Sequence, residues 1–135
     1  MNFSNKDGGK IIFELIKTIQ DKKDFLSEVD GKIGDGDHGI NMNKGFTMTY
    51  CKVNGKDYDM TTAFSVLGDT LLEDIGGSMG PLYGAFFDGL SEASEDHDVI
   101  DKKTFQKMIH TALEAIQDIG NAKRGDKTLL DTLIP

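Results

Sequence analysis

From Gly9 to Ile119, apolar residues return every three or four positions, and prolines stand only at Pro81 and at the final residue, Pro135. That period belongs to helices with one buried face. Few breakers and abundant Leu, Ile, Met, Phe, Ala, Lys and Glu favour the same state. No alternating run with hairpin chemistry competes with it. The expected class is therefore all-α, with short loops. Residues 9–20 carry Ile12, Phe13, Leu15, Ile16 and Ile19 at helical spacing, and Phe25, Leu26, Val29 and Ile33 prolong the stripe. A helix over 40–53 places Ile40, Met42, Phe46, Thr49 and Tyr50 as candidate buried positions. Asn54-Gly55-Lys56-Asp57 is a turn. Thr61 or Thr62 is expected to cap a helix reaching Ile75 with Phe64, Leu67, Leu71 and Leu72 on one face. Pro81 suits the first turn of the next helix, which carries Leu82, Phe86, Phe87 and Leu90. An acidic surface loop over 94–98 precedes a helix over 101–119, which Gly120 ends. A short helix is expected over 127–133.

One stretch does not serve packing. Asp30-Gly31-Lys32-Ile33-Gly34-Asp35-Gly36-Asp37-His38-Gly39-Ile40-Asn41-Met42-Asn43 puts three carboxylates within eight residues, among glycines. Like charges repel, and each glycine loses backbone freedom on ordering. A bound hard cation offsets both costs. Mg²⁺ prefers carboxylate oxygen and is often completed by substrate phosphates. The bland alternative is that Asp35 and Asp37 serve as turn and cap residues. One cap needs one such residue, whereas this loop has three acids plus His38. Residues 34–39 also match G-x-G-x-x-G, but a helical segment precedes them and acids would repel a bare pyrophosphate, which excludes a Rossmann reading. An EF-hand fails as well, because Phe46 falls where the bidentate glutamate belongs. Beside a metal loop, His38 and Asn41 with the exposed N–H groups of a helix start form a phosphate cradle. Gly76-Gly77-Ser78-Met79-Gly80 is a second glycine-rich turn opening a helix, and an anion nest of the same kind.

Net charge narrows the partners. At -8, with a pI near 4.7, the chain has no basic stripe for nucleic acid or anionic membrane. A nucleotide remains open to it if metal ions invert the local field. The lone Cys51 excludes an internal disulfide framework and suits a reducing cytoplasm, the expected location. No signal peptide or bilayer-spanning run is evident in the sequence.

These stretches, with Pro81-Leu82-Tyr83-Gly84 and Gly125-Asp126-Lys127-Thr128-Leu129-Leu130-Asp131, closely resemble the DhaL family, the nucleotide-binding subunit or domain of dihydroxyacetone kinases. Order and spacing agree over nearly the whole chain. The resemblance implies an eight-helix antiparallel barrel whose loops at one end hold ADP or ATP. It implies two Mg²⁺ ions on Asp30, Asp35 and Asp37, and nucleotide contacts at His38, Asn41, Ser78, Met79, Gly120 and Leu129. It implies docking on a DhaK subunit, where a histidine holds dihydroxyacetone covalently and the γ-phosphoryl passes to the substrate hydroxyl. No catalytic histidine is then expected in this chain. In phosphotransferase-dependent systems a DhaM protein rephosphorylates the bound ADP, and other relatives use free ATP. Some relatives act instead as non-catalytic modules on DhaK or on a transcription regulator, which is the alternative reading.

Two departures bear on these expectations. Met79 stands where many members have serine, so one hydroxyl donor is lost while the backbone N–H groups remain. Family chains also continue past the Leu-Ile-Pro stretch. The expectation is thus a DhaL domain over 1–135 without the family's last helices, which does not close the barrel alone and could pair its edge in a homodimer.

Overall fold

The computed structural model describes residues 2–32, 36–56, 58–75 and 79–120. Among them lie six α-helices: α1 (Lys10–Asp21), α2 (Lys23–Asp30), α3 (His38–Val53), α4 (Met60–Asp74), α5 (Met79–Ser94) and α6 (Lys102–Gly120). Strands β1 (Phe3–Ser4) and β2 (Val99–Ile100) pair antiparallel, Phe3 opposite Ile100. The all-α expectation is met; this two-residue ladder is an addition to it. The expected helix over 127–133 lies outside the described residues.

The helices bury the stripes their spacing set up. Ile12 and Ile16 of α1, Met42 and Phe46 of α3, Leu67 and Leu71 of α4, and Met108, Ala112 and Ile116 of α6 are all buried. Burying each large side chain stabilises the fold by about 1.5–3 kcal/mol. Phe87 of α5 is the aromatic hub: its ring stacks on Phe64 at 5.9 Å and meets Phe46 edge-on at 6.0 Å. Other residues of the expected stripes do not reach the core: Phe13, Phe25, Val29, Ile40, Tyr50 and Leu72 are exposed, because one helix face cannot hold every apolar residue around its circumference.

The helix ends follow local chemistry. Asp59, not Thr61 or Thr62, caps α4: its Oδ1 accepts the Thr62 N–H at 2.7 Å. Asp101 does the same for α6 through Thr104 N–H at 2.8 Å, and these bonds lower its carboxyl pKa. Ser94, expected to open a surface loop, is instead fully buried as the last residue of α5.

α5 and α6 are joined by a short connection and run antiparallel. Ala85, Asp88 and Glu92 of α5 line one groove with Thr111, Glu114 and Asp118 of α6. Their contact is close because Gly89 has no Cβ to press on Ala112. The end of α6 therefore returns to the level at which α5 begins. α3 and α5 point the same way, since His38 faces Tyr83 near their starts and Phe46 faces Phe87 further along.

Candidate functional site

The acidic stretch links α2 to α3. α2 stops at Asp30, with Gly31 beyond it. Gly36 has φ +79°, a left-handed conformation that L side chains avoid, so glycine is required for the chain to turn into α3 there. Asp37 follows as the residue before the first helical turn. Gly39 lets α3 lie directly on α2: a Cβ there would overlap the Lys23 carbonyl oxygen and crowd Ser27 Oγ.

This geometry aims two carboxylates at one helix start. Asp30 Oδ2 accepts the His38 N–H at 3.3 Å, so Asp30, eight residues upstream, caps α3 in place of Asp37. Asp37 Oδ2 accepts from Asn41 Nδ2 at 3.0 Å, and its carbonyl oxygen accepts the Asn41 N–H at 2.9 Å. The N-terminus of a helix carries roughly half a positive charge, which favours both acids and any anion beside them. Asp30, His38 and Asn41 are half-buried, and Asp37 is exposed.

The start of α5 stands beside that of α3. Gly80 lies against the carbonyl oxygens of Leu71 and Ile75, where a Cβ would overlap both, so the end of α4 sets where α5 begins. Met79 and Tyr83 are half-buried against the core. The Tyr83 ring centroid is 6.1 Å from that of His38, with the planes tilted by 59°. Burial raises the Tyr83 phenol pKa above its ordinary value. Gly120, the last residue of α6, reaches the same end of the bundle.

Asp30, Asp37, His38, Asn41, Met79 and Gly120 thus fall at one end. Asp35, Ser78 and Leu129 lie outside the described residues. Among the described residues, no three His, Cys, Asp or Glu side chains group closely enough to hold a metal ion. The donors that are described suit a hard cation: Asp30 and Asp37 present carboxylate oxygen, with no thiolate beside them. A cavity of about 320 Å³ lined by Lys6, Phe13, Val53 and Tyr58 lies at the other end and includes none of these residues.

Two features escaped sequence reasoning. Asp30 was expected only as a ligand, yet it is also the cap of α3. In the sequence, Tyr83 stands out only as part of the Pro81-Leu82-Tyr83-Gly84 motif. Its position four residues after Met79, hence on the same helix face, was the available signal.

The sequence is also similar to that of known proteins. The model of the DAK2 domain family matches residues 32–135. The chain is 39% identical over 118 residues to the "PEP-dependent dihydroxyacetone kinase 1, ADP-binding subunit DhaL" of Listeria innocua, covering 87% of this chain and 59% of that protein. It is 39% identical over 114 residues to the "PTS-dependent dihydroxyacetone kinase, ADP-binding subunit DhaL" of Lactococcus lactis, covering 84% and 57%. It is 33% identical over 115 residues to the "PEP-dependent dihydroxyacetone kinase, ADP-binding subunit DhaL" of Escherichia coli, covering 84% and 55%. The chain spans a little over half the length of these relatives. No described helix is long and apolar enough to cross a membrane.

Proposed function

The chain belongs to the Dak2 domain family, and on that premise we propose that it is the nucleotide-binding subunit of a dihydroxyacetone kinase. The residues form a DhaL domain over 1–135 that acts in the cytoplasm. It passes phosphate from a bound nucleotide to dihydroxyacetone held on a DhaK partner. The donor chemistry is that of the PEP- or PTS-dependent relatives, with a DhaM-like protein restoring the nucleotide. The observation that carries the reading is the meeting of Asp30, Asp37 and the His38 N–H at the start of α3, beside the start of α5.

The division of labour follows from charge. Asp30, Asp35 and Asp37 would act as ligands rather than bases, and together would hold two Mg²⁺. When bound, Mg²⁺ neutralises phosphate oxygens and clamps them for in-line transfer. His38 and Asn41 on α3, Met79 at the start of α5, and Ser78 contact the nucleotide. Gly120 and Leu129 complete the contact set. The first-turn N–H groups of α3 and α5 supply positive ends of helix dipoles in a protein of net charge -8. The substrate-binding histidine belongs to the partner, so this chain alone turns nothing over.

Calorimetric titration of ADP into the chain, with and without Mg²⁺, tests the reading. Binding is expected only with Mg²⁺, and Asp35→Ala is expected to abolish it while helicity by circular dichroism is kept. Equal ADP binding by Asp35→Ala and wild type would remove the ligand assignment.

A further inference from the structure

We infer that Tyr83 is a positioning residue, whose ring holds the His38 imidazole at the nucleotide end and so ties the start of α5 to the start of α3. The inference deepens the proposed nucleotide reading and rests on it for what His38 does.

Four observations converge on this residue. The two rings come from different helices, with centroids 6.1 Å apart and planes tilted by 59°, within the range in which aromatic rings attract. His38 is the first residue of α3, and the bond from its N–H to Asp30 fixes its backbone while leaving the side-chain torsions to be set by packing. Tyr83 is itself held. It packs against the core, and the flanking Gly80 and Gly84 let α5 lie close on α4, where a Cβ at Gly84 would press on Gly68 O and Leu72. One turn further along, Phe87 is locked among Phe46, Phe64 and Phe86. A rigid ring on a rigid helix is thus set against a side chain at a helix start. A first-turn side chain without such a neighbour samples several rotamers and loses that freedom on binding. The contact is between two rings and uses no hydrogen bond from the phenol, so Phe should replace Tyr83 and Leu should not.

The full chain carrying Tyr83→Leu and Tyr83→Phe tests this with two readouts. The first is the proton NMR position of the His38 ring signals without nucleotide, assigned by their loss in His38→Gln. The second is the affinity for ADP with Mg²⁺ present. Tyr83→Leu is expected to move the His38 signals and weaken ADP about tenfold, and Tyr83→Phe to leave both near wild type. Thermal melting of both variants checks that each is folded; if Tyr83→Leu does not fold, Tyr83→Met and Tyr83→Ile take its place. Unmoved His38 signals in the folded aliphatic variant overturn the inference. So does unchanged ADP affinity in that variant, or a loss in Tyr83→Phe as large as in Tyr83→Leu. If wild type itself binds no ADP with Mg²⁺, the nucleotide reading fails, while the His38 signals still decide whether Tyr83 holds the ring.

Discussion

The two ends of this helical bundle treat polar side chains in opposite ways. At the end where α4 starts and α5 stops, Asn5 is buried and its side chain is fully used. Its Nδ2 donates to Thr61 Oγ1 at 2.9 Å, to Ser94 O at 3.2 Å and to His97 O at 2.8 Å, and its Oδ1 accepts the Thr61 N–H at 3.1 Å. Ser94 Oγ meets Thr61 Oγ1 at 2.7 Å, and Ser91 Oγ donates to Thr61 O at 2.7 Å. These Asn5 bonds join residues 56 to 92 positions apart. At the other end, the bonds of Asp30 and Asp37 named above span eight and four positions. The first arrangement satisfies donors and acceptors against one another and ties distant segments. The second holds charge beside helix starts with short local bonds. Mutually satisfied polar groups build structure, whereas crowded like charges at a helix N-terminus are arranged for something that brings opposite charge.

The largest effect that can break this contrast is at Asn5. Asn5→Ala removes four side-chain bonds and leaves buried partners behind. It is expected to lower unfolding stability by about 3 kcal/mol in a denaturant titration. ADP binding by the folded fraction should not change, because the site is at the far end. A loss below about 1 kcal/mol would show that the network is not structural in the sense argued.

A smaller effect sharpens the role of the helix start. Asp88 of α5 also sits among acids, but with no helix N-terminus beside it. It occupies the space left by the missing side chain of Gly68. Burial first, then the charge of Asp69 and a hydrogen bond with it, then the charge of Glu73, push its pKa up to about 7. Here the crowding is relieved by a proton. A raised folded-state pKa means that the contribution of Asp88 to stability is full below the ordinary carboxylate range and is lost as pH rises toward 7. Asp88→Asn should therefore melt like wild type near pH 4 and a few degrees higher near pH 8. Partial exposure of the carboxyl keeps this effect small. A melting difference that does not vary with pH would count against proton sharing at this position.

How much of this was legible in sequence depended on how local the signal was. The helix over 40–53 was read almost to its ends, because α3 runs His38–Val53 and Asn54-Gly55 punctuates it. The helix over 9–20 was read to within a residue as α1. The burial of Met42, Phe46 and Thr49 followed from spacing alone. The exposure of Ile40 and Leu72 did not, because spacing names a stripe without saying which edge of it meets a neighbour. The β1–β2 pair was missed, since two residues cannot show an alternating period. Asn5 gave no sign of its importance, because its side-chain partners begin 56 residues away. For the candidate site, the acid spacing drew attention to Asp30, Asp37 and His38, and the structure brings these three to one helix start. What spacing could not supply was the return of α5 to the start of α3, and with it Tyr83 beside His38.

On the proposed reading, the acids at the start of α3 tolerate one another by sharing divalent cations that also bind phosphate. A Mn²⁺ titration followed by electron paramagnetic resonance, Mn²⁺ standing in for Mg²⁺, tests this on wild type and on a variant carrying Asp30→Asn with Asp37→Asn. Wild type is expected to take up Mn²⁺, ADP to tighten the uptake, and the variant to stay folded and lose both. Mn²⁺ uptake that is the same in the variant and indifferent to ADP would contradict that reading.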